Sequence, residues 1–457
     1  MPSASLIKEF EQLVGKENVF SSEADRQSYA YDAAVLKPMI PSLVVRPTEV
    51  EQLGQVVKRC YEEGIPMTVR GSGTNLTGGT IPDCSDTIVI LTTGLNKILE
   101  INTEDLYATV QPGVITAKFA AAVAAKGLFY PPDPGSMSVS TIGGNVAESS
   151  GGLRGLKYGT TKDYVMGMEV FANTGDLVKT GSRTVKCATG YNIAPLLVGS
   201  EGTLAVTSKV TLKLIPPPKA SKAMMALFKD MDGASQAVAG IIAAHVVPCT
   251  LEFLDHASIN YIEDYVKIGL PRDAGAMLLI EDEAVIVEKV LRDNSATEIV
   301  VARDAVEKSR IWEARRVAIP ALARCRPTLM LEDATVPRSK IPAMMKVIKA
   351  LDEIAARHNV TIATFGHAGD GNLHPSILCD RRDKEEFSRV ERAVDDLFNA
   401  TIEMGGTLSG EHGIGTAKIK WLEQETSHGT IMFSRRLRKA FDPKGLFNPS
   451  KIVGFGD

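Results

Sequence analysis

Residues 363–378 read ATFGHAGDGNLHPSIL, and this stretch restricts its own fold tightly. Asp370-Gly371 is a strong signal for a two-residue hairpin, because a turn of that kind wants positive φ at both central positions. With the turn centred there, Gly369 faces Asn372, Ala368 faces Leu373 and His367 faces His374. Directly opposed residues share a face, with Cβ atoms about 4.5–5.5 Å apart. The pairing therefore predicts two imidazoles side by side, able to grip one metal ion or one substrate. A helix would place them at i,i+7, but glycines and Pro375 interrupt it. The whole chain has only seven histidines, which makes this pair a candidate site.

A chain of 457 residues predicts two or three domains with substantial cores. The formal net charge of −4 and the lack of a long Lys/Arg run give no reason to expect nucleic acid as a partner. The start, MPSASLIKEFEQLVG, is polar and amphipathic, without the apolar core of a signal peptide. No later apolar run is long enough to span a bilayer. The cysteines at 60, 84, 187, 249, 325 and 379 never form C-x-x-C, which suits reduced thiols and encodes no iron–sulfur cluster. The expectation is a cytoplasmic protein, peripheral to a membrane at most through a partner.

The first half is rich in glycine and strand patterns. Pro41–Arg46 reads as a strand. Thr48-Glu49-Val50-Glu51 reads as a capping box, opening a helix with Val50, Leu53, Val56, Val57 and Cys60 on one stripe. Further strands are expected at 66–70, 87–92, 106–111, 167–172 and 203–214, and helices at 115–126 and 191–197. Pro216-Pro217-Pro218 marks a boundary. Beyond it strands and helices alternate: strands at 222–228, 249–254, 276–281, 298–302 and 328–333, helices at 232–245, 256–268, 284–295, 304–319, 340–357 and 384–402. This texture suggests an α+β domain, with two related βαβ halves as one form of it.

Several loops look built for close approach to a ligand. Arg70-Gly-Ser-Gly-Thr-Asn-Leu-Thr-Gly-Gly79 is one, Pro131-Pro-Asp-Pro-Gly-Ser136 another. Thr141-Ile-Gly-Gly-Asn145, Ser149-Ser-Gly-Gly152 and Gly199-Ser-Glu-Gly-Thr203 follow. Glycine lets a backbone come close, and successive N–H groups can cradle phosphate oxygens. The set suggests an extended, phosphate-containing ligand.

Taken in order, RGSGTNLTGG, PPDPGS, TIGGNVAESSGG, GSEGTLAV, GHAGDGNLHP, GEHGIG and FDPKGLFNP resemble the vanillyl-alcohol-oxidase/PCMH flavoprotein superfamily. The likeness is greatest to its glycolate oxidase FAD-subunit and D-lactate dehydrogenase branch. It implies an α+β protein: a PCMH-type FAD-binding domain of two subdomains over 1–217, an α+β cap with a largely antiparallel sheet over 218–410, and a segment 411–457 returning to the FAD domain. It implies that Gly71, Ser72, Gly73, Thr74 and Asn75 hold the FAD pyrophosphate. Pro134, Gly135, Ser136, Gly143, Gly144 and Asn145 would lie along FAD, with Ser149 and Gly152 nearby, and Gly199, Glu201 and Gly202 would complete the site. Residues 1–244 contain no histidine, so a covalent link through a histidine there is excluded; noncovalent FAD is expected, with a cap-domain or cysteine link as the alternative.

The resemblance also implies that Glu411 joins His367 and His374 on a divalent metal, with His412 as the base. Two imidazoles and one carboxylate leave coordination positions open, and zinc, iron or manganese accepts that set. Trp312-Glu-Ala-Arg315 resembles the family's Trp-x-x-Arg element, so Arg315 is expected to grip the substrate carboxylate. Arg316 is expected on another helix face, with Arg324 and Arg326 as further candidates. Relatives acting on 2-hydroxyglutarate carry a lysine where this chain has Leu331, which favours a small monocarboxylate. Asp370 has two readings, acceptor for a histidine or turn former.

The expected reaction is oxidation of a small D-2-hydroxy acid, D-lactate or glycolate. Electrons would pass to a partner, either an iron–sulfur subunit, an electron-transferring flavoprotein or a quinone, in a homo- or hetero-oligomer. The alternatives are a D-2-hydroxyglutarate dehydrogenase and an alkyl-ether lipid synthase-like transferase. A metal hydrolase on the two histidines is a third, but it leaves the FAD-type loops unexplained.

Overall fold

The structure, a computed structural model, describes residues 2–218, 221–282 and 285–454, with backbone only for 345–352. The start of the helix expected at 284–295 and the end of the 411–457 segment lie outside the described residues. The chain divides into two compact units. One comprises Met1–Gly151, Thr160–Pro217 and Glu411–Asp457; the other comprises Gly152–Gly159 and Pro218–Gly410. The octapeptide Gly152–Gly159 departs from the expected division, because buried Leu156 packs into the second unit's core.

The first unit holds two sheets. The smaller runs Val19–Phe20, Leu43–Val45, Ile88–Leu91, Met67–Arg70, with its last three strands parallel. Helix Val50–Glu62 makes the crossover between two of them, burying Leu53, Val56, Val57 and Cys60. Its cap is one residue later than the sequence suggested: Gln52 Oε1 accepts from the Glu49 N–H at 3.1 Å and from the Thr48 N–H at 2.9 Å. Glutamine at 52 reaches the entering backbone, so the reciprocal pair is Glu49 and Gln52. The second sheet is antiparallel, ordered Ile98–Asn102, Tyr107–Val110, Val206–Lys213, Val165–Phe171, Leu177–Gly181.

The tail is sewn into this unit. Met67 N–H donates to Leu446 O at 2.7 Å, and Phe447 is fully buried. Asn448 Nδ2 donates to Gly79 O and Glu201 O, both at 2.8 Å, while its Oδ1 accepts from Thr68 Oγ1 at 3.1 Å. One buried amide thus ties three ligand-loop anchors together.

The second unit is a single sheet ordered Glu298–Val301, Lys222–Phe228, Ala276–Asp282, Thr250–Asp255, Thr361–His367, Asn372–Cys379, Thr328–Leu331, with Ala334–Thr335 also pairing Asn372–Cys379. Every pairing is antiparallel. The βαβ halves are split: Lys222–Phe228 and Thr250–Asp255 lie either side of Ala276–Asp282, an arrangement that strand-helix alternation cannot reveal. Helices cover both faces. Met231–Ala243, Val285–Asp293, Ile341–His358 and Lys384–Glu403 bury Val238, Leu291, Ile341 and Leu397 against one. His256–Val266, Ala305–Arg316 and Ala318–Ala323 bury Ile259, Trp312 and Leu322 against the other.

The histidine hairpin has a register two residues from the expected one. His367 pairs with Asn372 and His374 with Phe365, so the loop is the four residues Ala368–Gly371. Gly371 has φ +82°, whereas Asp370 does not enter the positive region, and a tight turn needing both is ruled out. A shift of two residues is a full pleat period, so the histidines stay on one face as diagonal neighbours. Gly371→Ala forces an L-residue into the left-handed region, costing about 1–2 kcal/mol. Its Cβ would also stand 2.4 Å from Val336 O, a backbone atom that cannot swing aside. We expect a lower urea midpoint with unchanged slope; an unaltered midpoint would refute this turn geometry.

Candidate functional site

In the second unit the imidazoles of His367 and His374 have centroids 5.2 Å apart and stand edge to face. Each offers a ring nitrogen within 4.8 Å of the other's. Both are buried. His367 Nδ1 lies 2.6 Å from Glu252 Oε1, and His374 Nδ1 lies 3.4 Å from Glu332 O. A carboxylate and a carbonyl can only accept, so both Nδ1 atoms donate, and in the neutral rings both lone pairs sit on Nε2. That is the tautomer a metal ligand needs.

Glu252, in contact with His367, is a residue that sequence reasoning missed. Its carboxylate is fully buried, and Arg315 Nε donates to Oε2 at 2.6 Å. Burial pushes its pKa up, but His367 and Arg315 outweigh this and hold it below the ordinary value. The reason for the miss is distance along the chain: Glu252 meets His367 only because Thr250–Asp255 pairs with Thr361–His367, in a register that sets the two opposite. The available signal was a glutamate within the otherwise apolar TLEFL run.

Arg315 is thereby anchored on Glu252, and its guanidinium stacks over Phe365 at 4.7 Å. The other arginines are elsewhere. Arg316 Nη2 donates to Ser309 O, Arg324 lies over the Tyr265 ring and Arg326 pairs with Glu386. Asp370 Oδ1 accepts from the Asn372 N–H at 3.3 Å, a turn-forming contact. Asp333 is fully buried, accepts from Ser409 Oγ at 2.8 Å and offers an oxygen within 4.8 Å of a His374 nitrogen. Leu331 packs against the apolar core. Gly152 belongs to this unit.

In the first unit the expected FAD loops fall into two kinds. Gly71, Gly73 and Gly143 are tight against protein: a Cβ would come within 2.3 Å of Thr141 Oγ1, 2.0 Å of Arg70 and 2.6 Å of Pro112 respectively. Gly135, Gly199 and Gly202 are different, since a Cβ at Gly135 meets no protein atom within 4 Å and at the others none closer than 3.7 Å. Gly199 and Gly202 also have positive φ. Gly144 is intermediate, with Thr141 Oγ1 at 3.3 Å. Such open space leaves room for a ligand, although turn glycines such as Gly64 and Gly127 are as open. Ser72 Oγ donates to Val139 O at 2.5 Å, joining two of the loops.

Asn75 organises its own loop. Oδ1 accepts from Thr77 N–H at 3.1 Å and Gly79 N–H at 2.6 Å, and Nδ2 donates to Glu148 Oε1 at 2.5 Å. Thr74 is partly buried in the same loop. Gly143, Gly144 and Asn145 lie within helix Ile142–Glu148, capped by Thr141, not in a loop. Asn145 Nδ2 donates to Thr116 Oγ1 at 2.9 Å, and Ser149 closes the helix with φ +55°. Pro134 O accepts from Met137 N–H at 2.8 Å, turning the chain through Ser136.

The loop carrying Glu411 and His412 belongs to this unit and is firmly held. Glu201, itself at φ +48°, accepts from the Ile414 N–H at 2.7 Å and the Gly415 N–H at 2.8 Å. Thr77 Oγ1 donates to His412 O at 3.1 Å. Gly413 is required: with φ +80°, its Cβ would fall 2.1 Å from Glu148 Oε2 and 2.9 Å from Glu201 Oε1. Burial pushes Glu201 up to about 7, and burial plus the Glu201 charge holds Glu148 well above its usual range.

Similarity to known proteins shows the class to which a chain with these loops and this imidazole pair belongs. Residues 41–181 match the FAD binding domain family and 217–452 match the family of FAD linked oxidases, C-terminal domain. The glycolate oxidase subunit GlcD of Bacillus subtilis (strain 168) is 47% identical over 450 residues, covering 96% of this chain and 95% of that protein. The D-lactate dehydrogenase of Anaerostipes hadrus is 32% identical over 466 residues, covering 98% and 97%. In fold, p-cresol methylhydroxylase with substrate bound matches with a TM-score of 0.79 at 16% identity, over 98% of this chain and 96% of that one. An alkyldihydroxyacetonephosphate synthase matches at 0.77 and 18%, over 99% and 86%. The chain belongs to the FAD-linked oxidase family and is an FAD-dependent oxidoreductase of the GlcD and D-lactate dehydrogenase type with the PCMH-type fold.

The buried carboxylates give a pH test. Glu148 and Glu201 bind protons more tightly folded than unfolded, so their contribution is complete below the ordinary pKa of 4.5; that of Glu201 is lost as pH rises through about 7, and that of Glu148 as pH rises through its own raised pKa. Glu148→Gln keeps an oxygen for Asn75 and removes the charge. We expect its melting temperature to exceed that of the unaltered protein increasingly as pH is raised, the gap closing below about pH 4.5. A gap independent of pH would count against this buried pair as its source.

Proposed function

We propose that this protein oxidises a small D-2-hydroxy acid, D-lactate or glycolate, to the 2-oxo acid and hands the electrons to a partner protein or quinone. FAD is held noncovalently through Gly135, Gly144, Gly199, Gly202 and the loop at 71–75. His367 and His374 hold a divalent metal, zinc, iron or manganese, with Glu411 as third ligand. The observation that carries the reading is the histidine pair, buried on one face, each Nδ1 facing an acceptor. When bound, FAD supplies the hydride acceptor and the metal a Lewis acid that lowers the pKa of the substrate hydroxyl.

The protein's own residues do the rest. His412 takes the hydroxyl proton on an imidazole nitrogen, histidine being the side-chain type suited to proton transfer near neutrality. The bonds from Glu201 and Thr77 fix the backbone around it, so the base has little freedom to wander. Arg315, anchored through Nε, offers its remaining N–H groups to the substrate carboxylate. Apolar Leu331 supplies no cation for a second carboxylate, which supports a monocarboxylate over 2-hydroxyglutarate. The GlcD relatives are named as subunits, which supports a protein partner as electron acceptor. Among the described residues no helix is long and apolar enough to cross a membrane.

The deciding experiment is the anaerobic visible spectrum of the purified protein before and after D-lactate, L-lactate, glycolate and D-2-hydroxyglutarate, added separately. D-lactate or glycolate should bleach the flavin band, and a chelator should prevent it. A yellow protein bleached by none of them moves the assignment to the transferase. A colourless protein that cannot take up FAD overturns the flavin reading.

Two variants test the roles. His412→Ala should keep FAD and slow flavin reduction by about 10²–10⁴-fold. Glu411→Ala and His374→Ala should lose metal and activity together, and metal retained at full stoichiometry in both would refute the ligand assignment.

A further inference from the structure

Three charged or ligating side chains meet inside the second unit in a fixed order: Arg315, Glu252, His367. The two contacts at the carboxylate are both 2.6 Å, one to each oxygen. Glu252 has no exposed surface, and the Arg315 and His367 side chains are 11% and 6% exposed. Geometry of this kind goes beyond charge balance. Arg315 can only donate, so it occupies one carboxylate oxygen and leaves the other to accept from His367. The proton on His367 is thereby kept on Nδ1.

We propose that Glu252 is the positioning residue of the histidine pair, locking the His367 tautomer, and that Arg315 locks Glu252 in turn. This rests on the reading that the pair holds a metal. The pair is asymmetric in a way that makes His367 the controlled ligand. His374 Nδ1 faces a backbone carbonyl at 3.4 Å, whereas His367 Nδ1 faces a charged acceptor at 2.6 Å. Charge-assisted bonds are roughly twice as strong as neutral ones, so the Glu252 contact dominates the orientation of the site. The cross-strand register fixes the distance, because Glu252 and His367 are direct partners in the sheet. Phe365, beneath the Arg315 guanidinium, holds that group in plane.

The test is Glu252→Gln, which changes no atom count and reverses one end of the chemistry. The glutamine must turn its oxygen to Arg315, so its NH₂ faces His367. Nδ1 then has to accept, the proton moves to Nε2 and the ligating lone pair is lost. Zinc affinity, measured by titration of the chelator-stripped protein with Zn²⁺ alone, should fall by about 10- to 100-fold, with FAD content unchanged. Adding Arg315→Met should restore much of that affinity, because the amide can then turn its oxygen to His367. A buried ion pair of purely structural value would show no such rescue.

Long-range ¹⁵N spectra of the histidines in the unaltered, metal-stripped protein give a second readout that needs no variant. His367, assigned with His367→Ala, should carry its proton on Nδ1. An Nδ1 without a proton overturns the proposal, as does unchanged zinc affinity in Glu252→Gln. If His367→Ala also binds zinc normally, the metal reading itself falls. If only His367→Ala loses zinc, that reading survives and the positioning role alone is refuted.

Discussion

A carboxylate with no exposed surface, Glu252, sits between a guanidinium and an imidazole and accepts from both. Burying one charge alone is prohibitive, so its ionised form persists only because Arg315 and His367 donate to it. The arrangement orients three groups at once. The sheet sets Glu252 opposite His367, helix Ala305–Arg316 brings Arg315 across the same face, and Phe365 fills the space beneath. Removing any one leaves a buried polar group without its partner, which is why the cluster acts as a unit.

The first unit solves a different problem. An extended cofactor needs bare backbone, yet loops of bare backbone are entropically costly to order. Side chains hold them: partly buried Asn75 organises its own loop over 75–79, buried Asn448 ties Gly79 to Glu201, and buried Glu201 binds the backbone beyond His412. Glycines serve two purposes in that scheme. Some allow protein to meet protein, as Gly143 does against Pro112, while Gly135, Gly199 and Gly202 adjoin open space. A motif alone does not separate these uses, because both are written as glycine.

Much of the architecture was legible because the elements have strong local signals. Alternation and helical periodicity located the strands and helices of the second unit to within a few residues, and the proline run marked its beginning. The misses share one cause. The hairpin register moved by two because only Gly371 takes positive φ, a choice set by packing against Val336 and not by the Asp-Gly pair. The Gly143-Gly144 segment became a helix because Thr141 caps it and Pro112 packs against it. Gly152–Gly159 joined the other unit because Leu156 finds its apolar partners there.

The sequence by itself determined the chemical inventory: two histidines forced onto one face of a hairpin, a set of bare loops, a Glu-His pair between glycines, and no histidine in the first 244 residues. Those properties follow from residue type and short spacing, which local sterics translate directly into geometry. Only the tertiary structure decided which acceptors face the histidines, that Arg315 is anchored on Glu252, and that Glu201 braces the His412 loop. Those contacts join residues 63, 115 and 213 positions apart, and nothing local constrains them. They exist because long-range strand pairing and burial leave each charged group only one place to find its partner.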